Sequence, residues 1–185
     1  CTKIAFDADG DLYVIGSVGG QGVLLHSRDN GRSFAACALP GGAGQRLSFD
    51  IEQFAGHNVP IGPPPVLVAT EVAADANLMW RRISALDLVL PSKQNGTITC
   101  GDPIRIADAT LGVGSHSGIP SAVVSRQDRV HVIWAEPTDP ADQVPGVPTY
   151  VATYDRATGR LSEPAFVGYG APPNDVHNRP ALTMD

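Results

Sequence analysis

Three histidines share a local pattern that could support proton-transfer chemistry. His57, His116 and His177 are each followed by a proline three or four residues later, and they lie 59 and 61 residues apart. The ordinary pKa of histidine is close to neutrality, so several histidines at one concave site suit proton abstraction and donation. The alternative interpretation is structural, with each His-Pro segment capping a strand. The choice between them depends on which elements position the three segments.

Those elements repeat along the chain. Residues 3–15 align without gaps on residues 121–133, and apolar positions coincide at 4/122, 6/124, 12/130, 14/132 and 15/133 around a polar turn. Both segments are therefore predicted to form strand, tight turn and strand. The turn glycines Gly31, Gly96 and Gly159 form another series, spaced by 65 and 63 residues. A period of about 60 residues built from short strands is typical of a β-propeller blade.

We therefore predict an all-β protein made of four-stranded antiparallel blades, with 1–185 as a single partial propeller domain. The approximate blades are 1–55, 56–115 and 116–176, and residues 177–185 begin the next one. Closed propellers have about four to eight blades, so a second chain or missing blades would complete the ring. The innermost strand of a blade begins at the mouth of the central channel. The three histidines would then face one common funnel.

Composition excludes several other classes. The 20 Gly and 16 Pro among 185 residues argue against a helical bundle. The 13 Lys+Arg against 19 Asp+Glu give a net charge of −6 without basic runs, which disfavours a nucleic-acid partner. No run of about 18 apolar residues exists, so no membrane span is predicted.

The chain begins at Cys1 without a leader, and residues 180–185 resemble the opening of a strand. We expect a portion of a larger assembly.

The three cysteines fit no metal or redox motif. Cys1, Cys37 and Cys100 match neither zinc-ligand spacing nor a Cys-x-x-Cys pair. Free cysteines buried in strands are the favoured interpretation. One disulfide with a leftover thiol is the alternative, and the sequence leaves the pairing open.

Residues 27–34 fit the pattern Ser-x-Asp-x-Gly-x-Ser/Thr-aromatic, with Asp29, Gly31 and Phe34 at its key positions. This segment resembles the Asp-box of bacterial neuraminidase repeats, in which the aspartate bonds backbone amides and the motif is structural. Residues 149–162 and 176–185 resemble a neuraminidase-repeat propeller family outside the true sialidases. That family includes lyases of ulvan and related rhamnose–glucuronate glycans, and similar rhamnosidases. The resemblance implies a seven-bladed propeller, secretion, often a structural calcium, and active-site histidines with a tyrosine and an arginine.

On these residues the resemblance implies a secreted polysaccharide lyase that cleaves an acidic, uronate-containing polysaccharide by β-elimination. The reaction needs a base for the proton alpha to the carboxylate, a group that neutralises the carboxylate, and an acid for the leaving oxygen. The candidate base and acid are His57 and His177. The candidate substrate-binding residues are His116, Asn58, Asn178, Arg179 as carboxylate neutraliser, and Tyr150, with Tyr154 as the alternative tyrosine.

Two alternatives from other classes stay open. One is a non-catalytic propeller that binds glycans or proteins, and the other is a glycoside hydrolase of rhamnosidase or sialidase type. The sialidase reading is weakened because Gly118, not arginine, precedes Ile119-Pro120. Among other residues, Trp134 is predicted to lie in the core. His26 and His131 are interpreted as surface residues or as core residues with satisfied hydrogen bonds.

Overall fold

The computed structural model describes residues 4–19, 21–39, 48–52, 66–72, 83–108, 121–125, 127–136 and 148–169. Within these ranges the chain forms fifteen β-strands and no helix, and every pairing between strands is antiparallel. No helix in the described ranges is long and apolar enough to cross a membrane. The predicted all-β class is confirmed.

The first sheet is a four-stranded meander in sequence order. Its strands are β1 (Ile4–Phe6), β2 (Leu12–Val18), β3 (Gln21–Ser27) and β4 (Ala35–Ala38). Alternate residues of each strand point to opposite faces of the sheet. The register therefore places Ala5 and Tyr13 on one face, and Ile4 and Val14 on the other.

The second sheet contains β5 (Ser48–Glu52), β6 (Val66–Val72), β7 (Ile83–Val89) and β10 (Ile104–Asp108), again paired in sequence order. Between β7 and β10 the chain forms a separate hairpin, β8 (Ser92–Gln94) and β9 (Thr97–Thr99). Because β5 pairs with β6, the second sheet begins before the blade boundary that we placed between residues 55 and 56.

The β8–β9 hairpin differs from the sequence expectation. The turn at Asn95-Gly96 forms as predicted, with both residues at positive φ, 51° and 77°. Gly31, Gly96 and Gly159 were grouped as equivalent turn glycines, but Gly96 joins β8 to β9, which pair only with each other, whereas Gly31 lies in a turn between strands of the first sheet. Pro91 and Pro103 flank the hairpin. Proline has no N–H to donate to a neighbouring strand, so each interrupts the sheet at that point.

The third sheet contains β11 (Ser121–Val124), β12 (Arg129–Ala135), β13 (Pro148–Asp155), β14 (Arg160–Leu161) and β15 (Ala165–Tyr169). The first three pair in sequence order, and β14 and β15 both pair with β13 along its outer edge. The predicted turn at Gly159 lies between β13 and β14, where the Gly159 N–H donates to the Asp155 carbonyl at 2.8 Å.

The gapless repeat found in the sequence has a structural counterpart. In the first turn, the Asp7 and Gly10 N–H groups donate to the Asp11 and Asp7 carbonyls. The β11–β12 turn makes the same two bonds between residues 118 positions later, from Ser125 N to Arg129 O at 2.8 Å and from Asp128 N to Ser125 O at 3.0 Å. The two turns thus make the same backbone hydrogen bonds, and both segments form strand, turn and strand as predicted.

The three sheets pack in series through two apolar cores. The first core joins the first sheet to one face of the second sheet and to β9. The second core joins the opposite face of the second sheet to the third. The first strands lie next to one another, since β5 contacts both β1 and β11. The first core contains Ala5, Tyr13, Leu24, Leu39, Leu67, Val89, Ile98 and Cys100, and the second contains Val66, Val68, Leu86, Leu88, Ile106, Ala122, Val130, Val132, Trp134 and Ala152.

A disulfide corrects the favoured interpretation of the cysteines. Cys37 on β4 is bonded to Cys100, which directly follows β9, so these two cysteines are not free thiols. The spacing of 63 residues gave no sign of this pairing, because the contact depends on how the β8–β9 hairpin folds back on the first sheet. Cys1 lies outside the described residues.

Candidate functional site

The segment that resembles an Asp-box, residues 27–34, forms the turn between β3 and β4, and the carboxylate of Asp29 accepts hydrogen bonds from the turn backbone. Asp29 Oδ1 accepts the N–H groups of Arg32 at 3.0 Å and Ser33 at 2.8 Å, and Oδ2 accepts the Ser33 hydroxyl at 2.6 Å. The hydroxyl of Ser27 donates to the same carboxylate at 2.8 Å. The hydrogen bonds from Ser33, together with those from Ser27 and Arg32, lower the pKa of Asp29 to about 2. The role that we expected for Asp29, bonding backbone amides across a turn, is what this geometry shows.

A second polar cluster lies at the β1–β2 turn. Lys93, from β8, places its Nζ 2.6 Å from Asp7 Oδ2, 2.7 Å from Asp9 Oδ2 and 2.8 Å from Asp11 Oδ2. The hydroxyl of Tyr13 donates to Asp7 Oδ2 at 2.7 Å. One ammonium thus neutralises part of a group of three carboxylates that a five-residue turn brings together. We call these residues the lysine cluster.

Burial and charge act in opposite directions on the lysine cluster. Burial by itself raises the pKa of Asp7 and Asp11, but hydrogen bonds from Lys93 and other donors outweigh it, and both pKa values lie below the ordinary range. Partial burial by itself lowers the pKa of Lys93, but the bonds to Asp11, Asp7 and Asp9 raise it above its ordinary value. Asp7, Asp11 and Lys93 are therefore charged at neutral pH.

The lysine cluster stabilises the fold, and its tyrosine is not suited to catalysis. The side chain of Tyr13 is fully buried, and burial together with the Asp7 carboxylate raises its pKa. A buried phenol that is harder to ionise cannot serve as a nucleophile or base at neutral pH. His26 is also buried, and its Nε2 lies 2.9 Å from Asp11 Oδ2. The interpretation of His26 as a satisfied core residue is confirmed.

The strand directions place different features at opposite ends of the sheets. In an antiparallel meander the first and third turns lie at one end, and the start of the first strand lies at the other. The lysine cluster at the β1–β2 turn and the Asp-box at the β3–β4 turn therefore share one end of the first sheet. In the first and third sheets, we call the end at which the first strand, β1 or β11, begins the entry end of that sheet.

Tyr150 lies toward the entry end of the third sheet. Ser121, the first residue of β11, pairs with Ile133, which in turn pairs with Val151. Tyr150 is therefore level with the start of β11, although two strands outward from it. Its side chain is half-buried. Burial, followed by the charges of Glu136 and Tyr169, raises the pKa of Tyr150, so its hydroxyl remains a proton donor at neutral pH.

Tyr150 is one member of an aromatic row. Its ring stacks on Trp134 with centroids 6.0 Å apart and meets the edge of Phe166 at 5.8 Å. Phe166 in turn contacts Tyr169 at 5.1 Å. The row passes from the buried Trp134, 5% exposed, to Phe166 and Tyr169, which are 52% and 50% exposed. Adjacent aromatic rings with exposed members offer flat apolar surface to a ligand, with the Tyr hydroxyls as polar handles.

Two other sequence interpretations are confirmed. Trp134 is a core residue, and its indole N–H donates to Glu136 Oε1 at 3.2 Å. His131 is half-buried, with Nδ1 2.9 Å from the Thr153 hydroxyl, and burial followed by the charge of Arg129 lowers its pKa. It therefore stays mostly neutral at physiological pH.

The remaining site predictions fall on residues that the structure does not describe. The candidate base and acid, His57 and His177, lie outside the described ranges, as do His116, Asn58, Asn178 and Arg179. They stay predictions, and Tyr150 is the one candidate whose surroundings are defined. Within the described ranges, no group of three or more His, Cys, Asp or Glu side chains is arranged to hold a metal ion.

Sequence reasoning missed the lysine cluster and the aromatic row. Lys93 is 82 to 86 residues from its three partners, and no local pattern links an isolated lysine to a distant turn. The alternation of the three acidic residues Asp7, Asp9 and Asp11 was visible in the sequence. Alternate residues of a tight turn can converge on one cation, so this spacing was the available signal. The row joins three strands, and only their register reveals it.

Comparison with known proteins adds no assignment, because no family model matches the chain and no curated protein matches it significantly.

Proposed function

We propose that this chain is part of a secreted β-propeller that cleaves an acidic polysaccharide by lyase chemistry. The observation that carries the proposal is the series of three antiparallel sheets whose first strands β1, β5 and β11 are adjacent, with an Asp-box turn in the first sheet. Adjacent innermost strands are the arrangement by which propeller blades line a central channel. The Cys37–Cys100 disulfide supports secretion, because such bonds persist mainly in oxidising compartments.

The reaction follows from the residue types assigned to the channel mouth. One histidine, His57 or His177, removes the proton alpha to the uronate carboxylate, and Arg179 binds that carboxylate so that the developing negative charge is tolerated. The electron pair of the broken C–H bond forms the new carbon–carbon double bond as the glycosidic C–O bond breaks. The other histidine gives a proton to the leaving oxygen. Tyr150, a protonated phenol toward the entry end, would donate a hydrogen bond to the bound sugar.

The test is the ultraviolet absorbance of the unsaturated uronate that a lyase produces from a glucuronate-containing glycan. We expect a steady rise with the wild-type chain and a loss of at least about a hundredfold in His57→Ala and His177→Ala, because general acid or base catalysis typically contributes 10²–10⁴-fold. His131→Ala is the control, since His131 bonds Thr153 on the third sheet and is given no role in the reaction. Full activity in both histidine variants would refute the assignment, and no rise with any such glycan would refute the lyase.

Tyrosine variants test the entry end separately. Tyr150→Phe removes one hydroxyl and should lower the rate, whereas Tyr154→Phe removes a hydroxyl near the Gly159 turn, at the other end of β13, and should not. Equal rates in both variants would remove Tyr150 from the site.

The aromatic row favours a second candidate, which is glycan binding without cleavage. In that case the chain would retain the polysaccharide on an affinity gel, release no unsaturated product, and bind more weakly after Phe166→Ser. New reducing ends without an unsaturated product would instead indicate a glycoside hydrolase on the same fold.

A further inference from the structure

The first sheet has a second face that is built like an interior surface. Opposite Ala5 and Tyr13, the register aligns Ile4, Val14, Leu25 and Ala36 in one row across all four strands. No charged side chain lies on that face of β1 to β4. A sheet face in contact with water normally carries polar side chains. Yet Ile4 and Val18 on this face are 62% and 64% exposed. We call it the outer face of the first sheet.

The internal repeat identifies the kind of surface that this face fits. Under the alignment of 3–15 on 121–133, Ile4, Leu12 and Val14 of the outer face correspond to Ala122, Val130 and Val132. Those three residues are fully buried in the core between the third and second sheets. The outer face of the first sheet is thus the same face that the third sheet uses to pack against its neighbour.

The opposite faces obey the same correspondence. Tyr13 and Ile15, which face the second sheet, correspond to His131 and Ile133 on the back of the third sheet. On that back face the register aligns Ile133, Val151 and Ala165. Ile133 is buried, Val151 is half-buried and Ala165 is exposed. The three sheets therefore stack in the same orientation, so that the back of one sheet faces the front of the next. Among the described strands, the series has a front face on the first sheet and a back face on the third as its two outer surfaces.

We propose that the outer face of the first sheet binds the back of the third sheet of a second copy of this chain. The contact is head-to-tail, and two copies related by a twofold axis would make it twice and close six sheets into one ring. The inference rests on the proposed propeller architecture but not on lyase activity. It commits to a second copy because the chain itself carries both complementary surfaces.

Hydrodynamic mass tests the proposal directly. We expect the wild-type chain to sediment with a mass near twice 19.3 kDa at micromolar concentration. Ile4→Glu and Ala165→Glu should each raise the dimer dissociation constant by at least about a hundredfold, because each would bury an unpaired carboxylate in the contact. Both positions are exposed in the single chain, so the fold tolerates the charge, and circular dichroism checks this. Thr97→Glu on β9, exposed and on neither face, is the matched control and should dimerise normally.

A mixing experiment separates head-to-tail contact from the alternatives. In a mixture of the two variants, one chain supplies an intact first sheet and the other an intact third sheet, so a mixed dimer regains one of the two contacts. We expect the mixture to associate more strongly than either variant alone. A dimer that tolerates Ala165→Glu, or a mixture that gains nothing, would mean that like faces meet and would overturn the proposal. A wild-type monomer at all concentrations would overturn it as well and leave another polypeptide as the occupant.

The outcomes distinguish this inference from the proposed function. An inactive wild-type dimer with the expected variant behaviour would support the contact and refute the lyase. An active monomer would support the lyase and refute the contact.

Discussion

Lys93 connects two parts of the chain that are far apart in sequence. Its ammonium is bonded to three carboxylates of the β1–β2 turn, and its side chain is 16% exposed. Two of those carboxylates, Asp7 and Asp11, are themselves buried. Removing one partner of a buried ion pair costs more than forming the pair yields, because the remaining charges keep their desolvation penalty. The side chain is therefore more sensitive to truncation than a surface lysine.

Replacement of Lys93 by Met keeps the length of the side chain and removes its charge. We expect Lys93→Met to lower the free energy of unfolding by about 3 kcal/mol at neutral pH, as is usual when one member of a buried pair is lost. Chemical denaturation of wild type and variant at neutral pH measures this difference. Arg105, whose guanidinium bonds Asp87 and Asp108 on an exposed part of β10, provides a control, since Arg105→Met should cost less than about 1 kcal/mol.

The difference in stability between wild type and Lys93→Met should depend on pH, and the pKa shifts give the sign of that dependence. The pKa values of Asp7 and Asp11 are lowered in the folded chain, so their contribution is complete above the unfolded value of about 3.9 and is lost as the pH falls through the folded pKa. In Lys93→Met the part of that lowering that comes from Lys93 is lost. The difference in stability between wild type and variant should therefore shrink below about pH 4. A difference that stays constant down to pH 2 would exclude the ion pairs as its source.

At the scale of elements, the β8–β9 hairpin is the part that the sequence described least well. The turn chemistry of Asn95-Gly96 was readable because glycine and asparagine adopt positive φ at low cost. The sheet to which this hairpin belongs could not be predicted, because no local sequence pattern indicates whether a hairpin continues a sheet or forms a separate one. The structure gives it several attachments to the first sheet. These are the Lys93 ion pairs, Ile98 in the first core and the disulfide at Cys100.

The disulfide should be a large contributor to the stability of this attachment. It closes a segment of 63 residues, for which restriction of the unfolded chain corresponds to about 4 kcal/mol. We expect the double variant Cys37→Ala/Cys100→Ala to unfold at a correspondingly lower denaturant concentration. Dithiothreitol should destabilise the wild type and leave the double variant unchanged. Equal stability of the reduced and oxidised wild type would show that the core contacts alone hold the hairpin.

At the scale of the whole molecule, the all-β class and the duplicated turn were predictable because a local pattern encodes each of them. Alternating apolar residues and turn glycines specify strands without knowledge of their partners. The register of the repeat carried over to the structure, as the matching bonds at Asp7 and Ser125 show. The packing order of the sheets and the pairing of Cys37 with Cys100 were not predictable, since both depend on contacts between distant segments. For the candidate site, the substrate-binding role given to Tyr150 stays a prediction, and its aromatic neighbours could not be predicted because they depend on strand register.

A dimer that closes through the outer face should also make stability depend on concentration. Association involves the folded state alone, so it raises the apparent free energy of unfolding by mass action. We expect the thermal midpoint of the wild type to rise by a few degrees between low and high micromolar concentration, and that of Ile4→Glu to stay constant. A scan by circular dichroism across this range measures both. A constant midpoint in the wild type would contradict association in the folded state.

The position of the disulfide also determines which pieces a protease could release. Cys37 and Cys100 make the backbone from residue 37 to residue 100 a covalent ring that includes strands of the first and second sheets. Cleavage of any single peptide bond within that ring leaves one covalent molecule, whereas cleavage between β10 and β11 severs the third sheet completely. In the oxidised protein β5 to β9 therefore lie in one unit that a single cut cannot divide, whereas β1 to β3 and the third sheet lie outside the ring and can each be released by one cut.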